Sequence, residues 1–362
     1  MKLTKFFALA LAALAIVGCE PTTGNDDQKP TGDAVLTANN NSVEVNTPIE
    51  FTVTAADGAD LTAEAVIYDK SHDYVVVENP YTPTMDGEYE FYAVVGNIIT
   101  PSIKVNVVPT VPALPEDAQP ENTAFNHRIL LVDHTGNTCG YCPKMMAALK
   151  EVAETEGYHS KYYEAMAHTY STSDPAYSGA ANVVSSHHGV NSYPTLTYNF
   201  YHSTTSSYNA EHIKGQIDAL WRAEGAEVGI AAAATLASTS VIVNTEVKAA
   251  VENEYHITAW LLEDGIYAKQ TNATEEWMNT HDNAIRQRVS SNDISGVDLG
   301  AIAAGETKST ALTLNIVGNK WNRDNLKVMV IVSAKNAKGK FEVVNTVICP
   351  ANESVAYDYK KN

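Results

Sequence analysis

The feature that most constrains the fold is a pair of cysteines that follows directly on an apolar stretch of chain. The run Ile129-Leu130-Leu131-Val132 leads into Asp133-His134-Thr135-Gly136-Asn137-Thr138-Cys139-Gly140-Tyr141-Cys142-Pro143. Apolar residues then recur at helical spacing over residues 145–153. The pattern predicts a buried strand, a short loop and an amphipathic helix that carries both thiols at its N-terminus.

The placement of the two cysteines has a chemical consequence. The first-turn N–H groups of a helix stabilise negative charge, so Cys139 is expected to ionise below the free cysteine pKa of about 8.5. A thiolate at Cys139 attacks disulfides, and Cys142 then resolves the mixed disulfide within the same chain. Pro143 fits a first helical turn, which can do without the N–H that proline lacks. The spacing also fits a local structural disulfide or half of a zinc site, for which a second ligand pair is missing.

A later segment favours one fold for this region. In Ser192-Tyr193-Pro194-Thr195-Leu196-Thr197-Tyr198, a proline opens a β-branched and aromatic strand downstream of the cysteine helix. The order of elements resembles the thioredoxin fold, in which this proline is cis and packs against the sulfurs. The resemblance implies that Tyr193 and Pro194 cover the sulfurs and that Asp133 assists proton transfer beneath them. Gly140-Tyr141 resembles the dipeptide of periplasmic disulfide isomerases of the DsbC type, whereas Thr138 stands where thioredoxins carry tryptophan.

The N-terminus has the pattern of an exported lipoprotein. Lys2 and Lys5 precede an apolar run over residues 6–17, and Ile16-Val17-Gly18-Cys19 forms a lipobox. In such a signal Cys19 is lipidated and becomes the mature N-terminus. The apolar run is too short to span a bilayer as a retained helix. We therefore expect residues 1–18 to be a removed signal peptide and the mature chain to be held at the membrane by lipid.

Charge and motif content exclude several function classes. The chain has 24 Lys and Arg against 43 Asp and Glu, a formal net charge of −19. An acidic surface of this kind argues against nucleic acid and against electrostatic binding to anionic lipid. The sequence has no Gly-rich phosphate loop and no Ser-His-Asp order. We predict no cofactor and no metal.

Alternation and turn signals divide the chain into further segments. Short strand-like runs between turn residues precede and follow the cysteine region, and Asp264-Gly265 is a strong hairpin signal. We predict a multidomain α+β fold with an N-terminal immunoglobulin-like β-sandwich, a central thioredoxin-like α/β domain and a C-terminal β-sandwich. The predicted segments are a disordered tether (19–32), the first sandwich (33–108), a Pro-rich linker (109–121), the thioredoxin-like domain (122–225), the second sandwich (226–352) and a polar tail (353–362).

The sequence predicts one helix before the proline segment and one after it. Asp174-Pro175 is a candidate cap for a helix through Ala180 and Val184. Apolar residues on one face of residues 210–223 predict a closing amphipathic helix. A polar excursion, residues 271–295, interrupts the second sandwich and carries His281 and Arg286.

Several other residues have a structural and a functional interpretation. Cys349 is expected to be a small buried hydrophobe in a terminal strand, or else a third thiol or a dimer disulfide. His187-His188 fits a solvated helix end better than a metal site, because no other ligand lies at the right spacing. His134 is interpreted as a loop-edge residue near the thiols. His281 and Arg286 are expected to tie the long loop to the sandwich rather than to bind a ligand.

The whole layout resembles the outer membrane protein 28-related lipoproteins of the bacterial envelope, which share the lipobox, a CxxC domain and a C-terminal sandwich with a His-x-x-x-(Ile/Leu)-Arg segment. We predict an outer-membrane lipoprotein, periplasmic or surface-exposed, that acts as a thiol–disulfide oxidoreductase or isomerase on exported proteins. Its partners would be exported thiols or disulfides, an envelope redox partner and the membrane. The alternative is a non-enzymatic interaction or adhesion lipoprotein in which Cys139 and Cys142 form a structural disulfide.

Overall fold

The computed structural model describes residues 33–200, 202–203, 207–289, 293–316, 318 and 320–361. The predicted signal peptide, the lipidation site Cys19 and the tether lie outside the described residues. The chain forms two compact units. The first comprises the described residues of Met1–Asn39 together with Phe51–Asn79 and Glu90–Ile103, and the second comprises Asn40–Glu50, Pro80–Tyr89 and Lys104–Asn362.

The strands up to residue 108 are β1 (Ala34–Ala38), β2 (Ser42–Glu44), β3 (Phe51–Ala55), β4 (Val66–Asp69), β5 (Val75–Val77), β6 (Gly87–Val95), β7 (Ile98–Ile99) and β8 (Ile103–Val108). The following elements are β9 (Ile129–Thr135), α1 (Cys142–Glu154), β10 (Tyr162–His168), α2 (Gly179–His187), β11 (Thr195–Tyr198), β12 (His202–Ser203), α3 (Ala210–Leu220), β13 (Val228–Leu236), β14 (Ser240–Ala249), β15 (Asn253–Glu263), β16 (Ile266–Tyr267), β17 (Thr280–His281), β18 (Ala284–Arg288), β19 (Val297–Ile302), β20 (Thr307–Asn315), β21 (Leu326–Lys335), β22 (Phe341–Pro350) and β23 (Ser354–Val355).

The first unit consists mainly of short antiparallel strands. Strand β1 pairs with β3, and β4 pairs with both β5 and β6. Alternate residues of β1 and β3 are buried, which matches the period-2 pattern of the sequence. Phe51 and Phe91 pack in its interior with ring centroids 4.8 Å apart.

The second unit contains two larger sheets. A nine-stranded sheet has the order β12-β11-β9-β10-β18-β15-β21-β22, with β19 also paired to β15. A four-stranded sheet has the order β20-β14-β13-β23. The largest apolar core lies between strands of these two sheets, with β13, β14 and β20 facing β15, β21 and β22. Most of its residues are Val, Ile, Leu and Ala, which suit strands buried on one face.

The predicted fold class, with a separate central thioredoxin-like α/β domain between two sandwiches, is wrong. The chain is mostly β, with 43% of residues in strands and 14% in helices, and no separate α/β domain stands out. The strands around the cysteine pair instead continue into the C-terminal strands, because β10 pairs in parallel with β18 at Met166 and Ala284. Strand β18 in turn pairs with β15, so one sheet serves both regions.

Each helix begins and ends where local chemistry allows it. Helix α1 has a proline in its first turn and buries one face, including Met145, Leu149 and Val152. Helix α2 is capped by Ser178, whose Oγ accepts a hydrogen bond from Ala181 N at 3.0 Å. The expected cap at Asp174 is therefore wrong, since Asp174 lies before the helix and its carboxylate accepts from Asn137 N and Ala176 N instead. Helix α3 ends at Leu220 and is capped by Asn209, which accepts from His212 N.

The helices pack on opposite faces of the nine-stranded sheet. Ile129 and Leu131 of β9 share a core with α1 and α3, whereas Leu130 and Val132 share a core with α2. Successive side chains of a strand point to opposite faces, so Asp133 faces α1 and His134 faces α2. None of the helices in the described part of the chain has the length and apolarity that a membrane crossing requires.

Candidate functional site

The two cysteines of the motif form a disulfide at the end of β9. Cys139 lies in the loop after the strand and Cys142 is the first residue of α1, with an S–S distance of 2.05 Å. Both residues are buried, with 2% and 0% of their surface exposed. Cys142 N donates a hydrogen bond to Cys139 Sγ at 3.2 Å. The first turn of the helix therefore directs an N–H group at the sulfur that the sequence assigned as the nucleophile.

A segment of the C-terminal region covers the loop of the disulfide. Gln270, only 2% exposed, donates from Nε2 to the Cys139 carbonyl at 2.9 Å. Thr271 N donates to Asn137 O at 2.7 Å, and Asn272 Nδ2 donates to Gly140 O at 3.1 Å. A Cβ added at Gly140 would lie 2.9 Å from Asn272 Nδ2, so the Asn272 side chain would have to shift to admit any other residue there. We name residues 270–272 the covering segment.

The proline segment lies at the same end of the sheet as the disulfide loop. The Tyr193–Pro194 peptide bond is cis, as the resemblance implies. Strand β11 begins at Thr195, which pairs with His134 near the end of β9, so Tyr193 and Pro194 lie beside the end of β9 that continues to Cys139. The hydroxyl of Tyr193 lies 3.1 Å from Thr169 Oγ1, and its ring packs edge-on against Tyr170.

Asp133 lies on the α1 face in an unusual state. It is fully buried, and neither carboxyl oxygen has a hydrogen-bond partner among the described residues. Burial, and after it the nearby Glu164 carboxyl, raises the pKa of Asp133 well above its usual range. Burial, and after it Asp282, raises the pKa of Glu164 to about 7. Two carboxyl groups on this face are therefore shifted toward the protonated form.

His134 is not a loop-edge residue, because β9 extends through Thr135 and buries it. Its Nδ1 lies 2.8 Å from Ser185 Oγ and its Nε2 lies 2.9 Å from Thr197 Oγ1. Burial, and after it His188, lowers the pKa of His134 to about 3. A neutral imidazole donates through one nitrogen and accepts through the other, and a hydroxyl matches either role. His134 is thus a satisfied buried residue.

A buried cluster connects the disulfide loop to the polar excursion. His168 Nδ1 donates to Asp174 Oδ2 at 2.9 Å, and the same oxygen accepts from Asn137 N at 2.7 Å. Burial alone would raise the pKa of Asp174, but these hydrogen bonds outweigh it and lower the pKa. The ring of His281 packs edge-on against His168 at 4.8 Å, and its Nε2 donates to Ala268 O at 3.1 Å. His281 therefore ties the excursion to β10 of the cysteine region, whereas the sequence predicts a tie to the second sandwich.

The remaining candidates have structural positions. Cys349 is free and fully buried in β22, which confirms the interpretation as a buried residue, and burial raises its pKa to about 11. His187 is exposed at the end of α2, whereas His188 is half-buried and has its pKa lowered to about 4 by burial and by His187. In the described part of the chain, no group of three or more His, Cys, Asp or Glu side chains is placed to hold a metal ion.

Sequence reasoning found the disulfide, the cis proline and Asp133 but missed what surrounds them. Gln270 and Asn272 lie more than a hundred residues after the cysteines, and nothing in their local sequence marks them as contacts of the disulfide loop. The same holds for the pairing of His168 with Asp174. The two residues are six positions apart, but the turn that brings them together has no periodic signal.

Similarity to a known protein family indicates where in the cell this protein is located. A family model described as outer membrane protein Omp28 matches residues 181–352, somewhat less than half of the 362-residue chain. The match begins after the disulfide and includes the covering segment and most of the second unit. The chain is therefore a protein of the outer membrane or cell envelope. No curated protein sequence matches the chain.

The solved structures add a fold relationship. HBP35 of Porphyromonas gingivalis has a TM-score of 0.53 and 14% identity, over 67% of this chain and 80% of that one. At this identity the likeness concerns the fold alone. Domains 4–9 of the surface layer protein SbsC give a TM-score of 0.18 and 11% identity, over 89% of this chain and 48% of that one, which supports no inference.

Proposed function

We propose that this protein is a lipid-anchored, non-enzymatic interaction protein of the outer membrane in which Cys139–Cys142 is a structural disulfide. The observation that carries the proposal is the burial of both cysteines, whose residues are 2% and 0% exposed, in a loop whose carbonyls the covering segment holds by hydrogen bonds. Thiol–disulfide exchange requires a thiolate to reach a sulfur directly. A disulfide that is buried in this way fits a structural role better.

The disulfide has a clear structural task in this arrangement. It joins the loop after β9 to the first residue of α1, and the same loop receives Gln270 and Asn272 from the C-terminal region. Fixing this loop therefore fixes the surface on which the C-terminal region packs. Two tyrosines near this loop are exposed, Tyr141 at 62% and Tyr170 at 50%. Aromatic residues are enriched at protein interfaces.

A second candidate function is thiol–disulfide exchange, with Cys139 as nucleophile and Cys142 as resolving thiol. Asp133 favours it, because its buried carboxyl group has no hydrogen-bond partner among the described residues and its raised pKa suits proton transfer to a thiolate. The hydrogen bond from Cys142 N to Cys139 Sγ would stabilise that thiolate. Tyr193 and Pro194 would then form the surface against which a client strand pairs.

The reduction potential of the pair distinguishes the two functions. We expect a value below about −300 mV, typical of a structural disulfide, whereas exchange catalysts lie between about −270 and −120 mV. The measurement uses a Cys349→Ala background, so that the buried third thiol does not contribute. A matched pair of variants then tests the trapping of clients. If Cys142→Ala accumulates mixed disulfides with envelope proteins and Cys139→Ala does not, the exchange function is correct and the structural proposal is wrong.

The lipid anchor is tested separately. The lipobox at Ile16-Val17-Gly18-Cys19 motivates the expectation that Cys19→Ala releases the protein from the membrane fraction. A matched Cys349→Ala variant should remain in that fraction. Continued membrane association of Cys19→Ala would contradict the anchor.

A further inference from the structure

The second unit contains an open cavity of about 790 Å³ that none of the disulfide-site residues lines. Its wall includes Gly179 and Ala180 at the start of α2, Arg286 and Arg288 of β18, and Thr313 of the edge strand β20. A volume of this size lies within the range of about 300–1,000 Å³ that small-molecule sites occupy. We name this space the arginine cavity.

The charge of the wall is opposite to that of the whole protein. The chain carries 43 acidic and 24 basic residues, but the described residues that line the arginine cavity include two arginines and neither Asp nor Glu. Arginine presents planar, multiple donors that match carboxylate and phosphate groups. The cavity is therefore suited to an anionic group, which most of this acidic surface would repel.

Arg286 is held in one orientation before any ligand arrives. Its Nε lies 3.0 Å from Glu263 Oε2, its Nη1 donates to Pro175 O at 3.1 Å, and its guanidinium group packs 5.3 Å from the Trp321 ring centroid. Only 9% of its side chain is exposed. Glu263 balances this charge, so Arg286 contributes fixed donors rather than a free charge. Orientation of this kind reduces the entropy that binding costs.

Arg288 supplies the second guanidinium group. Its Nη1 donates to Val289 O at 3.3 Å and to Asp293 O at 3.5 Å, and the Asp293 charge acts on its guanidinium group. The start of α2 adds partial positive charge on the same wall, because helix N-termini favour anions. A Cβ added at Gly179 would meet nothing within 4 Å, so a ligand has room to approach the backbone of this turn.

The uncharged part of the wall indicates what carries the anionic group. Gln287, Thr313 and Asn315 offer amide and hydroxyl groups, and Tyr177 and Trp321 offer aromatic surface. This combination suits a polyhydroxylated ring better than an added peptide strand. Gln287 Nε2 already donates to Asn315 O at 2.9 Å, so that carbonyl of edge strand β20 is not open to a pairing strand.

We propose that the arginine cavity binds a saccharide that carries a carboxylate or a phosphate group. The proposal deepens the interaction function proposed above and rests on it, because it names the class of molecule that the protein recognises. It requires no reaction at the disulfide.

Isothermal titration calorimetry of the folded protein tests the proposal with four probes: trigalacturonate, glucose 6-phosphate, neutral galactotriose and triglutamate. We expect binding of one or both anionic sugars and none of galactotriose or triglutamate. Arg288→Gln and Thr313→Asp should each weaken binding about tenfold or more, because one removes a guanidinium charge and the other adds a repelling charge at an exposed position. Arg222→Gln, which lies outside the cavity, is the matched control and should bind like the parent.

The outcomes separate this proposal from the function on which it rests. Binding of trigalacturonate or of glucose 6-phosphate alone identifies the anionic group and supports the proposal. Equal binding of galactotriose, preference for triglutamate, or absence of binding by either anionic sugar overturns it. Arg288→Gln and Thr313→Asp are first checked for parental thermal unfolding, and Thr313→Asp remains informative if Arg288→Gln is unstable. A reduction potential typical of an exchange catalyst would instead overturn the structural disulfide and leave the titration result unaffected.

Discussion

Two neighbouring buried polar residues on opposite faces of strand β9 differ in whether their side chains are hydrogen-bonded. On the face toward α2, His134 has a hydroxyl partner at each ring nitrogen. On the face toward α1, Asp133 is equally buried, but its two carboxyl oxygens have no partner in the described part of the chain. A satisfied buried group contributes to stability, whereas an unsatisfied one costs free energy. His134 on the α2 face therefore contributes to stability. The Asp133 carboxyl group on the α1 face costs folding free energy, so stability does not explain its presence.

The largest expected effect comes from placing the same apolar side chain on each face. His134→Leu removes two buried hydrogen bonds and leaves the Thr197 hydroxyl without this partner, while Ser185 keeps only Thr169, so we expect a loss of about 3–5 kcal/mol in unfolding free energy. Asp133→Leu removes an unsatisfied carboxyl group and should be neutral or stabilising by about 1–3 kcal/mol. Urea denaturation of both variants is the measurement. Equal destabilisation by both would remove the distinction between the faces.

The second prediction concerns the pH dependence that the α1 face imposes. The folded pKa of Glu164 is raised to about 7 from an ordinary value of 4.5, so between these values the folded state keeps a proton that the unfolded state has lost. Stability is therefore fully present below pH 4.5 and falls as the pH rises through 7, by roughly 3 kcal/mol. Asp133 acts with the same sign, since its pKa is also raised.

Glu164→Gln should reduce this decline to the part that Asp133 contributes, because the amide does not titrate. Glu156, exposed after α1, gives the matched control Glu156→Gln, which should keep the parental profile. The measurement is the urea midpoint at a series of pH values from 4 to 8. A parental decline that persists in Glu164→Gln would show that another group on this face is responsible.

The elements of this region were largely predictable, but their surroundings were not. The apolar run before Asp133 and the helical spacing after Cys142 identify β9 and α1, because those signals are local. The prediction of a separate central domain was wrong because β10 pairs with β18 through Met166 and Ala284. Sequence periodicity does not show which strand lies at the edge of a sheet. Likewise Asp174 and Ser178 are equally good caps by residue type, and only their tertiary contacts decide between them, because the Asp174 carboxylate accepts from Asn137 N while Ser178 Oγ accepts from Ala181 N.

The third prediction tests the disulfide itself. A short loop closed by Cys139–Cys142 restricts few conformations of the unfolded chain, so Cys139→Ser with Cys142→Ser should cost about 2 kcal/mol. The matched control is Cys349→Ser, which changes a buried thiol outside the pair. If the double substitution leaves the unfolding free energy unchanged while Cys349→Ser lowers it, the disulfide does not stabilise the α1 face. That result would favour the exchange function.

The smallest predicted effect sharpens the α2 side of the comparison. Ser185 Oγ lies 2.8 Å from His134 Nδ1 and 2.9 Å from Thr169 Oγ1, and the residue is 4% exposed. Ser185→Ala should therefore cost about 1 kcal/mol, the net value of one buried hydrogen bond, because the hydroxyl of Thr169 keeps Tyr193 as a partner.

Ser186→Ala changes the exposed neighbour on the same helix and should stay within about 0.5 kcal/mol of the parent. A double-mutant cycle of Ser185→Ala with His134→Leu then isolates the energy of the contact, and we expect a coupling of about 1 kcal/mol. Coupling near zero would mean that Ser185 does not stabilise His134. The energetic cost of His134→Leu would then come from the Thr197 contact and from packing, and the two faces of β9 would differ by one hydrogen bond rather than two.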